Sequence, residues 1–268
     1  MNSVPTIRIA AAADIHCAEA VRRDVEAAFA GLEGEADVVL LAGDLTRHGE
    51  PAEAAVLADA CRPLSVPVIA VLGNHDWHVA RRDEVVSVLT DAGITLLDPG
   101  HATVDVDATS VGVAGVKGFV GGFPGSHIPD FGEPLLRRVY DETTGEVTAL
   151  DRNLEAIRDC DVRVALLHYA PTMATLEGEP EGIWALLGSS RLAAPISRHR
   201  VDLVLHGHAH EGSFEGRIGN VPVYNVAVQV MGRDFWFFEL DGRRRHPQPP
   251  DLHVELRAAD GGPQGTSP

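Results

Sequence analysis

The chain has 268 residues, 45% of them hydrophobic and 23% charged, an ordinary globular composition with ample material for a core. It contains no apolar run of about eighteen residues, so no membrane span is expected. Its formal net charge of −17 argues against a broad electrostatic footprint for duplex nucleic acid.

The first apolar run, residues 7–13, reads as a strand that ends in Asp14-Ile15-His16. A helix over 18–32 follows, striped by Val21, Val25, Ala28 and Leu32. A second strand, 37–42, delivers Gly43-Asp44, and after the loop 45–49 Pro51 opens a helix that runs to Cys61. A third apolar run, 66–72, ends in Gly73-Asn74-His75-Asp76, where Gly73 lets the backbone turn without a Cβ penalty. A third helix is expected over 81–92. This alternation implies parallel strands joined by right-handed crossovers.

Beyond Gly93 the pattern changes to short strands at 95–97, 102–106 and 110–116, read as an antiparallel portion that begins a second sheet. Residues 118–144 are rich in glycine and proline and contain Phe119, Phe123 and Phe131. They read as an irregular insertion, facing the active site or merely lying on the surface, with a short helix at 135–140. Helical periodicity resumes over 145–159 through Val147, Leu150, Leu154 and Ile157. The strand 162–167 then ends in His168, followed by the turn Tyr169-Ala170-Pro171-Thr172. Trp184 is expected to pack under its acidic loop, and Ser189 to cap a helix through His199. The strand 201–205 ends in His206-Gly207-His208-Ala209-His210. Gly219-Asn220 marks a hairpin between 214–217 and 221–227. Arg243-Arg244-Arg245 reads as a solvated turn between closing strands at 234–240 and 252–256. Residues 1–257 thus read as one domain, and the tail 258–268 as disordered. Cys17, Cys61 and Cys160 are an odd number without C-x-x-C spacing. Together with the absence of a basic-then-apolar leader at the N-terminus, they lead us to expect a reducing, cytoplasmic setting.

Five apolar runs therefore finish in Asp, Asn or His, and in open α/β sheets ligands gather at the carboxyl ends of strands. Each element alone has a plainer reading. Asp14, Asp44 and Asn74 could cap helices, and His168 could be a satisfied core histidine. The ordered set D-x-H, G-D, G-N-H-D, strand-end His and G-H-x-H resembles the calcineurin-like metallophosphoesterase superfamily over residues 14–210. Gly43-Asp44-Leu45-Thr46, closed by Gly49, is closest to the bacterial cyclic-nucleotide phosphodiesterase-like branch. The protein Ser/Thr phosphatases, with G-D-x-H-G and G-N-H-E, are less similar. Tyr169-Ala170-Pro171 departs from the His-Pro-Pro that such enzymes often carry at this turn.

The resemblance implies an α/β fold, a two-sheet αββα sandwich, with two divalent metal ions. It assigns Asp14, His16 and His210 to one metal and Asn74, His168 and His208 to the other, with Asp44 bridging. Oxygen and imidazole donors without thiolate pairs suit Mn, Fe, Zn or Co and argue against a structural zinc site. The expected function is a metal-dependent phosphoric ester hydrolase, a phosphodiesterase of a small-molecule ester, acting by metal-bridging hydroxide attack. His75 is expected to stabilise or protonate the leaving oxygen, oriented by Asp76. His206, Arg47 and His48 are candidates for a supporting shell or for substrate contact. The rival readings are a phosphomonoesterase or pyrophosphatase on nucleotides or sugar phosphates, a nuclease, and a non-catalytic scaffold. Substrate, native metals and oligomeric state are not specified by these residues.

Overall fold

Three apolar β-strands near the N-terminus bury both of their faces, which is why they read as unbroken hydrophobic runs rather than alternating ones. The computed structural model describes residues 6–242. The arginine turn 243–245, the strand expected at 252–256 and the tail lie outside them. Strands β1 (Thr6–Ala12), β2 (Val38–Ala42), β3 (Val68–Val71) and β4 (Thr95–Leu96) alternate with helices α1 (Arg22–Ala30), α2 (Pro51–Cys61) and α3 (Arg82–Asp91). There follow β5 (Gly100–Val106), β6 (Thr109–Gly115), the short hairpin β7 (Gly122–Phe123) and β8 (Ser126–His127), and the long helix α4 (Pro134–Ala156). The rest comprises β9 (Val162–Leu166), α5 (Trp184–Leu187), α6 (Ala193–Arg198), β10 (Leu203–His206), β11 (Glu215–Ile218), β12 (Val221–Asn225), α7 (Val228–Met231) and β13 (Trp236–Asp241).

One sheet has the order β13-β1-β2-β3-β4 and the other β11-β12-β10-β9-β6-β5. The first is parallel from β1 to β4, with β13 added antiparallel at the edge. In the second, β6, β9, β10 and β12 are parallel, while β5 and β11 are antiparallel edges. Side-chain alternation sorts the core. Ile7, Ile9, Val38, Leu40, Ile69 and Val71 point to the layer between the sheets, where they meet Val111, Val113, Val162 and Val164. Ala10, Ala12, Val39 and Leu41 face the helices on the opposite side. Leu150 and Leu154 of α4, with Ile196 of α6, cover the outer face of the second sheet. The result is a two-sheet α/β sandwich with helices on both outsides, as expected.

Two expectations need correction. Residues 95–96 do not join the antiparallel portion but extend the first sheet by pairing parallel with β3. The segment 118–144 is more regular than its composition suggests. It holds the β7–β8 hairpin, and from Pro134 onward one helix of 23 residues runs through Gly145 without interruption. The expected short helix and the helix after it are one element. Among the described residues, no helix is long and apolar enough to cross a membrane.

Candidate metal centre

Every residue singled out at a strand end lies on the same edge of the sandwich. Asp14 and His16 follow β1, Asp44 follows β2, Asn74 follows β3, His168 follows β9, and His208 and His210 follow β10. The turns are tight. Asp14, His16, Asp44 and His208 all have positive φ, between 48° and 70°, a conformation that non-glycine residues adopt at a cost. Two glycines of the motifs are required by close approach. A Cβ on Gly73 would stand 2.1 Å from Asp44 Oδ1, and one on Gly207 would stand 2.2 Å from Asp14 Oδ2.

These turns bring donor atoms into two groups. Asp14, His16, Asp44 and His210 offer ligand atoms within 4.8 Å of one another, as do Asp44, His168 and His208, so Asp44 is common to both. His168 donates from Nδ1 to the Ala42 carbonyl (2.9 Å), which leaves the Nε2 lone pair facing inward. That lone pair meets Asn74 Oδ1 at 2.9 Å and Asp44 Oδ1 at 3.3 Å. Three acceptors converging in a buried space are what a cation resolves, so this donor set fits a divalent metal. His208 has Nε2 toward the Leu186 carbonyl at 3.3 Å, and His210 Nε2 lies 2.9 Å from Asp14 Oδ1.

The electrostatics are those of groups drawn from water. Burial pushes the Asp14 carboxyl upward, but hydrogen bonds from His210 and the His208 amide, with the neighbouring imidazoles, hold it below the usual range. For Asp44 burial prevails and its pKa is raised, with the Asp14 charge adding to the effect. Burial lowers His16 to about 4 and His208 to about 3, whereas the Asp14 hydrogen bond raises His210. Neutral imidazoles are the forms a metal needs.

His75 stands beside both groups. Its amide donates to Asp44 Oδ1 (2.8 Å), and its Nδ1 donates to the Arg47 carbonyl (2.7 Å). The orienting partner is therefore a backbone oxygen and not Asp76, as the motif led us to expect. The Asp76 carboxylate instead receives the amides of Leu45, Thr46 and Gly73 and the Thr46 hydroxyl, at 2.6–3.2 Å. It ties the Asp44 loop to the Asn74 loop. His206 is fully buried between the Gly207 carbonyl (2.9 Å) and the Thr175 hydroxyl (2.8 Å), so it braces the His208 loop without touching a donor. Arg47 and His48 line a cleft of about 560 Å³ together with His16, His75 and His210. His48 is also engaged by Glu53, at 3.0 Å.

A model of the family described as calcineurin-like phosphoesterase matches residues 7–212. A curated relative from Synechococcus sp., named "Probable cyclic nucleotide phosphodiesterase", is 25% identical over 182 residues. That match covers 68% of this chain and 60% of the relative, so the chain spans less than two thirds of the relative's length. Among solved structures, the phosphopantetheinyl hydrolase of Mycobacterium tuberculosis superposes with a TM-score of 0.66 at 14% identity, covering 92% of this chain and all of that one. GAP50, the anchor in the inner membrane complex of Plasmodium, gives 0.54 at 13% identity, covering 84% of this chain and 72% of its own. At such identities these two show a shared fold.

Proposed function

Since the chain belongs to the calcineurin-like phosphoesterase family, we propose that it is a metal-dependent hydrolase of small-molecule phosphodiesters. The observation that carries this reading is the pair of donor groups sharing Asp44. One group would be completed by Asp14, His16 and His210, the other by Asn74, His168 and His208. Bound divalent cations, of the Mn, Fe, Zn or Co kind, would supply Lewis acidity toward the phosphoryl oxygens and make water nucleophilic near neutral pH.

The chain's own residues supply the rest. Asp44, reaching both groups, fixes their separation. His75 holds its Nδ1 proton on the Arg47 carbonyl, so Nε2 is the atom that presents or receives a proton at the ester oxygen. Asp76 holds the two loops that carry Asp44 and Asn74 in register. The relative's printed name supports diester chemistry for this chain. A cytoplasmic setting is part of the proposal, and three free thiols are compatible with it.

The test is a side-by-side assay of metal-stripped protein reloaded with Mn²⁺. Bis(p-nitrophenyl) phosphate should be turned over well ahead of p-nitrophenyl phosphate. Preference for the monoester would reassign the protein to the phosphomonoesterases. Silence on both substrates with metals bound would favour a scaffold.

A further inference from the structure

A second cavity, of about 380 Å³, adjoins the donor cluster at Asn74, and its volume falls in the range of small-ligand sites. Three aromatic rings, those of Trp77, Phe119 and Tyr169, line it together with Leu135 and Val139 of α4. Tyr169 follows His168 directly, and its ring centroid lies 4.4 Å from that of His208. The aromatic wall thus begins at the cluster itself, at Tyr169, the first of the two residues that depart from the family's His-Pro-Pro.

Lys117, the chain's single lysine, also lines this cavity. It is only 7% exposed, and its ammonium sits 4.4 Å from the Phe119 centroid and 5.4 Å from that of Tyr169. Among the described residues, its one hydrogen bond goes to the Gly118 carbonyl (3.1 Å). An ammonium has three donors, so beside the two ring faces it is left short of oxygen or nitrogen acceptors in a space where such a shortage is costly. Glu146, Glu142 and Asp98 act on it through space, but a Glu146 oxygen is already taken by the Gly118 amide (2.8 Å) and Asp98 is paired with Arg82. Lys117 and Arg138 on one side and these two glutamates on the other leave the surroundings close to neutral. A neutral acceptor on a flat ring suits such a place better than a second phosphate does.

We infer that this cavity selects the substrate: it seats a planar aromatic substituent of the phosphoester, and Lys117 donates to a hydrogen-bond acceptor on that ring. The inference rests on the phosphoester reading for the anchoring group, which the donor cluster holds beside Asn74. Tyr169, Phe119 and Trp77 frame the ring, and Val139 of α4 forms part of the wall, where a larger side chain would take up the space.

Affinities of inert phosphonates for the zinc-loaded full chain test this directly, by calorimetry with methylphosphonate, benzylphosphonate and the meta and para isomers of nitrobenzylphosphonate. Benzylphosphonate should bind about tenfold more tightly than methylphosphonate, and one nitro isomer several-fold more tightly again. Lys117→Met should erase the nitro gain while keeping the ring gain, and Val139→Trp should erase both. Equal affinities for the whole series would overturn the inference, as would a nitro gain that survives Lys117→Met. Should Lys117→Met fail to fold, a ring gain that survives Val139→Trp would overturn it as well. These affinities need no turnover. A chain that shows the series but hydrolyses neither a diester nor a monoester would refute the proposed function and with it substrate selection, leaving only an aryl-binding cavity; active enzyme without the series would overturn this inference and leave the proposed function standing.

Discussion

At the scale of single residues, His75 is pinned at two points, its amide on Asp44 and its Nδ1 on the Arg47 carbonyl. Only Nε2 is left to face an ester, which gives a sharp expectation. His75→Ala, with metal content unchanged, should lower diester turnover by about 10²–10⁴-fold when the leaving group is a poor alkoxide. The loss should be smaller for p-nitrophenolate, which needs no proton. Wild-type rates on the alkyl ester would remove His75 from the mechanism. A second expectation follows from His206, which burial lowers to about 4 from an ordinary value of 6.5. Below 6.5 the unfolded chain takes up a proton that the folded chain refuses until about pH 4. The His206 contribution is therefore full above pH 6.5 and is lost as the pH falls toward 4. At about 1.4 kcal/mol per unit, this one group removes about 2 kcal/mol by pH 5 and about 3 kcal/mol once the pH is below 4. Thermal melts of metal-free protein at pH 7 and pH 5 should show a drop, to which the lowered His16 and His208 also contribute, and His206→Gln should make it smaller than in the wild type. The polar strand-end letters were readable in the sequence because each ended an apolar run. The Arg47 carbonyl was not, because a backbone oxygen leaves no mark in the amino-acid code. Asp76 was misread because its four partners are amides and a hydroxyl brought together only by the fold.

At the scale of elements, α4 shows where composition misleads. Its first half looks irregular, with Pro134 in the opening turn and Gly145 in mid-helix, and glycine there costs about 1 kcal/mol relative to alanine. Packing outweighs that cost. Leu150 and Leu154 enter the core, and the Thr143 hydroxyl donates to the Val120 carbonyl (2.6 Å). Gly145 has ordinary helical backbone, and a Cβ there would meet nothing within 4 Å. Gly145→Ala should thus stabilise the protein by about 0.5–1 kcal/mol, seen as a higher denaturant midpoint with an unchanged slope. A lower midpoint would mean that the helix is interrupted there. The central strands were legible because burial on both faces leaves long apolar runs between turn residues. β4 was misplaced because two residues carry no information about which sheet they join. The cavity beside Asn74 was hidden for a related reason, since its walls come from the Trp77 turn, the segment at 117–119, α4 and Tyr169.

At the scale of the whole molecule, the two sheets share the work. The first supplies Asp14, His16, Asp44 and Asn74, and the second His168, His208 and His210, so the donor cluster forms only when both sheets are packed together. The interior layer of valine, isoleucine and leucine between them is what sets these distances. Two divalent ions would bring +4 into a region holding the buried carboxylates of Asp14 and Asp44, and this local charge would then weigh more on phosphate binding than the net −17 of the chain. The most direct measurement is a titration of metal-free protein with Mn²⁺, following hydrolysis of bis(p-nitrophenyl) phosphate against metal bound per chain. If the two groups sharing Asp44 work as a pair, activity should stay low through the first equivalent and rise to its plateau with the second. Full activity at one equivalent, or none with two bound, would contradict the account.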